Sequence, residues 1–218
     1  MNANLDRTHF NISRSAEYFD VKELQAQTGQ PVAKFGEVVL KELIDNALDA
    51  CESAGIDPVI HIGIATVGIR MQICVSDNGS GINEKVIGSI LDFDTRTSDK
   101  AAYKAPTRGA QGNAFKTIIG IPRALGGGRV AIESKGLRHE ITATATPAGT
   151  IDINRKVRPI ADRAGTAVYV DMPWRESRPY WYARATALFN PHAIVKICTF
   201  DNFEALKFSL LLNKTALD

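Results

Sequence analysis

The run "KELIDNALDACESAG", Lys41 to Gly55, sets Glu42, Asn46 and Asp49 at i, i+4 and i+7, so a helix would line them up along one side with Asp45 and Glu52 flanking them. Like charges at such spacings repel, and a solvated acidic face is the ordinary reading. Asn46 fits that reading poorly, because asparagine is a weak mid-helix former that competes for backbone hydrogen bonds. A row of Glu, Asn and Asp does suit a hydrated divalent cation, since Mg²⁺ takes hard oxygen ligands and keeps several waters. Two glycine-bearing turns offer further chemistry. In "VSDNGSGI", Asp77 stands just past a strand-like run, and Gly79 and Gly81 let the backbone come close to a flat ligand. A carboxylate fixed there can accept from an exocyclic amino group, although an Asp-Asn-Gly turn is also common as a plain turn. In "RGAQGNAFKT", Gly109 and Gly112 precede a helix start at about Asn113. Free amides at a helix N-terminus make an anion cradle there, and Arg108 and Lys116 add positive charge.

These residues need elements to hold them. Leu43, Ile44, Ala47, Leu48, Ala50 and Cys51 gather on one side at 100° per residue, which predicts a helix with one buried face, beginning near Val32 and closed by Gly55. "PVIHIGIATVGIRMQICVSDNG" alternates apolar and polar residues on both sides of a break at Val67 and Gly68, the pattern of an antiparallel hairpin. A helix follows from about Asn83 to Phe93. "DTRTSDKAAYKAPTRGAQG" is a long, basic connection of the kind that serves as a lid or binding element, and the helical "NAFKTIIGIPRALG" leaves it. Strand-like "GRVAIES", "RHEITATAT", "GTIDINRKV" and "GTAVYVDMPW" come next, then the helical "PYWYARATALFNPH". Strands with segregated helices predict the α+β class, a layer of helices on a mainly antiparallel sheet.

A chain of 218 residues with 44% hydrophobic content is long enough for one well-buried domain. A net charge of +2 gives no global basic field that would argue for nucleic acid, while local basic loops stay open. "MNANLDRTHFNISRS" lacks the apolar core of a secretory signal, and no later run is long enough to span a bilayer, so the expected location is the cytoplasm, with no membrane partner. Cys51, Cys74 and Cys198 are odd in number and far apart, and read as buried free thiols. His9, His61, His139 and His192 are scattered without metal or triad spacing.

The order and separations of the three sites match one known arrangement. The sequence resembles the GHKL ATPases, the superfamily of type II topoisomerase ATPase subunits, heat-shock chaperones, MutL and histidine kinases. Its first box, Glu-x-x-x-Asn-x-x-Asp-Ala, is met by Glu42, Asn46, Asp49 and Ala50, and its second, Asp-x-Gly-x-Gly, by Asp77, Gly79 and Gly81. The glycine lid matches Gly109 and Gly112, with Ala114 in place of the usual third glycine. "GTAVYV", at Gly165 and Thr166, is similar to the late Gly-Thr box. Within the superfamily, "KELIDNALDACESAGIDPVIHI" and "TALFNPHA" are most similar to the B subunit of DNA topoisomerase VI, and the resemblance runs from about Val32 to His192.

The resemblance implies a Bergerat-type two-layer sandwich, a mixed and mainly antiparallel sheet with helices on one face, over residues 32–200, with an N-terminal extension at 1–31 and a tail at 201–218. It implies ATP and Mg²⁺ as ligands. Asn46 would hold the metal on the ATP phosphates with Asp49 supporting metal or water, Glu42 would be the general base, and Asp77 would accept from the adenine amino group with Thr166 assisting through a water. Arg108, Gly109, Gln111, Gly112, Asn113 and Lys116 would close over the phosphates. The implied assembly is a homodimer formed on ATP binding, beside a DNA-cleaving partner subunit, with DNA contacted indirectly or through that partner. The relatives take a further lysine from a following transducer domain, which is not recognisable here; the chain reads as a fragment, a stand-alone ATPase, or one that borrows the lysine from a partner. Two other readings stand beside this. A histidine kinase keeps the Asn but lacks the Glu one turn before it and needs a phosphoacceptor helix; Glu42 is present and no such helix is. A nucleotide-gated binding module with little turnover would keep Asn46, Asp77 and the lid, and would differ only in rate.

Overall fold

A computed structural model describes residues 14–93, 114–146, 151–174 and 176–200. After a 3₁₀ turn at Arg14–Phe19 the elements are α1 (Val21–Thr28), α2 (Phe35–Ser53), β1 (Val59–Val67), β2 (Arg70–Ser76), α3 (Glu84–Ile90), α4 (Ala114–Ala124), β3 (Arg129–Ser134), β4 (Leu137–Ala145), β5 (Ile151–Pro159), β6 (Thr166–Pro173), α5 (Pro179–Phe189) and β7 (Ile194–Phe200). The expected long helix begins with a short 3₁₀ turn at Val32–Lys34 and then runs as α2. It stops where Gly55 turns left-handed at φ 66° and the amide of Ile56 reaches back to the Cys51 carbonyl at 3.0 Å, which satisfies a carbonyl the helix leaves open. The hairpin closes with Val67 opposite Arg70, so its loop has two residues, and Gly68 at φ 56° supplies the left-handed conformation such loops require.

The strands form one seven-stranded sheet in the order β5-β4-β3-β6-β2-β1-β7. Every pairing is antiparallel except β1 with β7. Alternation divides each strand between two faces. Met71, Ile73 and Val75 of β2, with Val168, Val170 and Met172 of β6, turn toward the helices and are all buried there against Val39, Leu40, Leu43 and Ile118. Each such aliphatic side chain contributes roughly 1.5 to 3 kcal/mol by leaving water. Helices α2, α4 and α5 form the covering layer, so the expected α+β architecture of helices on a mainly antiparallel sheet is what the chain adopts.

Two features differ from what periodicity predicts. Residues 14–28 lie inside the stretch set apart as an N-terminal extension, yet Tyr18 and Leu24 are buried and join the core. Gly120 of α4 passes so close to the Tyr18 carbonyl that a Cβ there would overlap it, and the Phe93 ring packs on Tyr18 and Phe19 at 5.6 and 4.9 Å. Two or three anchoring side chains in a polar run are too few for periodicity to register. Cys51 and Cys74 are buried free thiols as expected, but Cys198 is exposed. It stands opposite Gly63 on the outermost strand, on the face without helices, and nothing packs over it among the described residues. No helix among the described residues is long and apolar enough to cross a membrane.

Candidate functional site

On α2 the buried stripe holds Leu40, Leu43, Ile44, Ala47, Leu48 and Cys51, while Glu42 and Asn46 lie at its half-buried edge. Asp49, one turn beyond Asn46, is carried inward and is only 6% exposed. Lys41 answers the acids from the rim, 2.8 Å from Asp45 Oδ2 and 3.3 Å from Glu42 Oε1. Burial works against its ammonium, but the hydrogen bond and charge of Asp45 and Glu42 outweigh burial and hold its pKa above the usual lysine value. Asn46 Nδ2 is buried and has no hydrogen-bond partner among the described residues. A buried amide nitrogen left open costs roughly 1 to 3 kcal/mol, a cost that a water or a ligand oxygen accepting from it would remove.

The turn after β2 is fastened to α2 from below. Gly79 lies so close to Ala50 that a Cβ would meet its backbone and side-chain carbons at 3.0 Å. Asn78 Oδ1 accepts from the Cys51 thiol at 3.2 Å and the Val59 amide at 2.9 Å, and its Nδ2 donates to the Asp57 carbonyl at 3.1 Å. The Asn of the Asp-Asn-Gly turn therefore serves architecture, and the Asp beside it is free for other work.

Asp77 is aimed from three directions. Its Oδ1 accepts from the amides of Gly79 at 2.9 Å and Thr166 at 3.1 Å, and its own amide donates to the Thr166 carbonyl at 2.9 Å. Burial pushes the carboxyl pKa up, while those two amides and the Arg163 charge pull against it. Oδ1 is thus spent on the backbone, and Oδ2 takes no part in those bonds. Thr166 follows Gly165, whose φ of 69° and contact with Asp77 leave no room for a side chain. The Thr166 hydroxyl is buried and, among the described residues, unpartnered. Sequence reasoning passed over Ser134, the last residue of β3: its hydroxyl accepts from the Ile82 amide at 2.8 Å and donates to the Gly165 carbonyl at 3.2 Å, tying the 77–82 turn to the start of β6. A lone serine ending an apolar strand carries no signal of that role.

Of the expected phosphate-closing residues, Arg108, Gly109, Gln111, Gly112 and Asn113 lie outside the described residues. Lys116, in the first turn of α4, is 2% exposed, its ammonium 5.4 Å from the Tyr18 ring centre and 5.7 Å from that of Phe93. Among the described residues no group of three His, Cys, Asp or Glu side chains could hold a metal ion by itself. A divalent cation would need ligand oxygens as well; the Asn46 amide carbonyl is a hard oxygen of the kind Mg²⁺ takes, while its unpartnered nitrogen is a donor that suits a phosphate oxygen instead of the ion.

Residues 34–173 match the family described as histidine kinase-, DNA gyrase B-, and HSP90-like ATPase. The chain is 32% identical over 195 residues to the B subunit of type 2 DNA topoisomerase 6 from Natronomonas pharaonis, a match covering 83% of this chain and 24% of that protein. It is 28% identical over 171 residues to the protein of the same name from Thermococcus sibiricus, covering 72% of this chain and 30% of that one. A crystal structure of the ATPase and transducer domains of DNA topoisomerase II from Balamuthia mandrillaris shares the fold, with a TM-score of 0.51 at 15% identity over 77% of this chain and 49% of that one. The chain thus spans 24% to 30% of the length of these curated relatives.

Proposed function

The chain belongs to the family of histidine kinase-, DNA gyrase B- and HSP90-like ATPases, and from that membership we propose that it binds Mg·ATP between α2 and the 77–81 turn and hydrolyses the γ-phosphate. The observation that carries the reading is that two buried polar atoms without partners among the described residues, Asn46 Nδ2 and Thr166 Oγ1, belong to two of the motif residues, 120 positions apart in sequence. Asp77 Oδ2 accepts from the adenine amino group, and Thr166 assists through a water. Asn46, supported by Asp49, would hold the Mg²⁺, which would supply charge neutralisation at the phosphates. Glu42 orients and deprotonates the attacking water. Phosphoryl transfer needs mostly positioning and positive charge, which Arg108, Gly109, Gln111, Gly112 and Asn113 would provide; Lys116, buried against the Tyr18 and Phe93 rings, would have to leave them to join in.

The resemblance to the B subunit of topoisomerase 6 supports a role in a cytoplasmic DNA-processing assembly, in which ATP drives dimerisation and a conformational change beside a DNA-cleaving partner. One observation favours a variant of this reading, a nucleotide-gated switch with slow turnover: Lys41 already engages Glu42 Oε1 at 3.3 Å. Calorimetry of ATP with and without Mg²⁺ tests the central claim. Asn46→Ala should abolish the gain in affinity that Mg²⁺ gives the unaltered chain and leave metal-free ADP binding within about twofold. An undiminished Mg²⁺ effect in the variant would refute the role of Asn46, and a turnover assay on the unaltered chain separates an active ATPase from a slow switch.

A further inference from the structure

The face of the sheet without helices holds a cavity of about 500 Å³ that includes none of Glu42, Asn46, Asp49, Asp77 or Thr166. Gln72 lines it with Glu133, Arg138, Arg158, Arg163 and Tyr169. Its acids are largely committed. Glu133 Oε1 accepts from Arg138 at 2.7 Å and its Oε2 from the Tyr169 hydroxyl at 3.2 Å, while Glu140 takes Arg138 Nε at 3.0 Å. Arg138 is thereby committed as well, and Arg129 pairs with Asp171 at 3.6 Å, but Arg158 and Arg163 are not so held. Arg158 stands directly opposite Arg138 in the β4–β5 register, and since Arg138 is already held by two glutamates, Arg158 is the cation left over on this pair of strands. It has no ion pair within 4.0 Å among the described residues. Arg163 reaches Glu133 only at 3.9 Å. Gln72 is 6% exposed, and its Oε1 has no partner among the described residues.

We propose that this cavity is a second ligand site, for a small organic anion whose phosphate or carboxylate meets Arg158 and Arg163 and whose hydroxyl or amino group donates to Gln72. Guanidinium forks match planar carboxylates and phosphates with paired hydrogen bonds. The volume lies within the roughly 300 to 1,000 Å³ of ordinary small-molecule sites. The inference stands on this geometry alone and does not depend on nucleotide binding across the sheet.

The probe is 3-phosphoglycerate, which carries a phosphate, a carboxylate and a hydroxyl, with sulfate as an anion that has no donor. Each is titrated into the full chain without nucleotide, by calorimetry and by backbone amide shifts. Saturable binding of 3-phosphoglycerate, tighter than sulfate, with shifts centred on residues 158–163, is the expected result. Arg158→Gln, an exposed change at the end of an edge strand, should weaken that binding by about tenfold or more while leaving the melting temperature in place. Absence of saturable binding overturns the proposal. So do an affinity equal to that of sulfate, shifts confined to residues 42–49 and 77–81, or an affinity that Arg158→Gln leaves unchanged.

Discussion

Asp77→Asn separates the proposed adenine acceptor from the scaffold that aims it. Oδ1 is committed to the amides of Gly79 and Thr166 at 2.9 and 3.1 Å. An asparagine carbonyl keeps both bonds, so the new NH₂ must occupy the position of Oδ2 and meet the adenine amino group donor to donor. Losing a hydrogen bond to a charged acceptor and leaving a buried donor open together amount to about 2 to 4 kcal/mol, or ~30- to ~800-fold in the dissociation constant of ADP. Stability should move the other way. Burial raises the Asp77 pKa above its ordinary value of 3.8, so the folded chain holds this proton more tightly than the unfolded one. The stabilisation is complete below 3.8 and is lost as pH rises through the raised folded-state value. Asp77→Asn should remove that portion of the pH slope and leave the neutral-pH melting temperature equal or slightly higher. Calorimetry with ADP and GDP, and melts from mildly acidic to neutral pH, measure both effects. An ADP affinity within about threefold of the unaltered chain, with the fold intact, would show that the adenine acceptor lies elsewhere.

Glu42→Ala should reduce single-turnover hydrolysis by about 10²- to 10⁴-fold with ADP affinity unchanged, and retained hydrolysis in rapid-quench assays would remove Glu42 from the role of general base. Gly165→Ala forces a side chain into a left-handed backbone at φ 69° and against Asp77. It should cost roughly 1 to 3 kcal/mol in strain and also weaken ADP binding, whereas urea melts that match the unaltered chain would mean the turn relaxes freely.

The local sequence determined what local physics can determine. Apolar spacing from Phe35 to Ser53 fixed α2 and the face it buries, and alternation about Gly68 fixed the hairpin that delivers Asp77 to the end of β2. Residue types in order gave the family, because Glu42, Asn46, Asp77, Gly79, Gly81 and Thr166 are readable without knowing which strands are neighbours.

Only the tertiary structure decided how those residues meet. Ser76 pairs with Ala167 because β2 and β6 run antiparallel side by side, and that register lets the Thr166 amide hold Asp77, 89 residues away in sequence. The same pairing assigns Oδ1 to the scaffold and leaves Oδ2 out of it. It also makes Gly165 a steric necessity and gives Ser134 its place between two turns. Periodicity reports which face of an element is apolar and is blind to its neighbour, so it missed Tyr18 and Leu24 in the core and the exposure of Cys198. It also missed the arginines gathered on the open face, since Arg138 and Arg158 become opposite one another only when β4 pairs with β5.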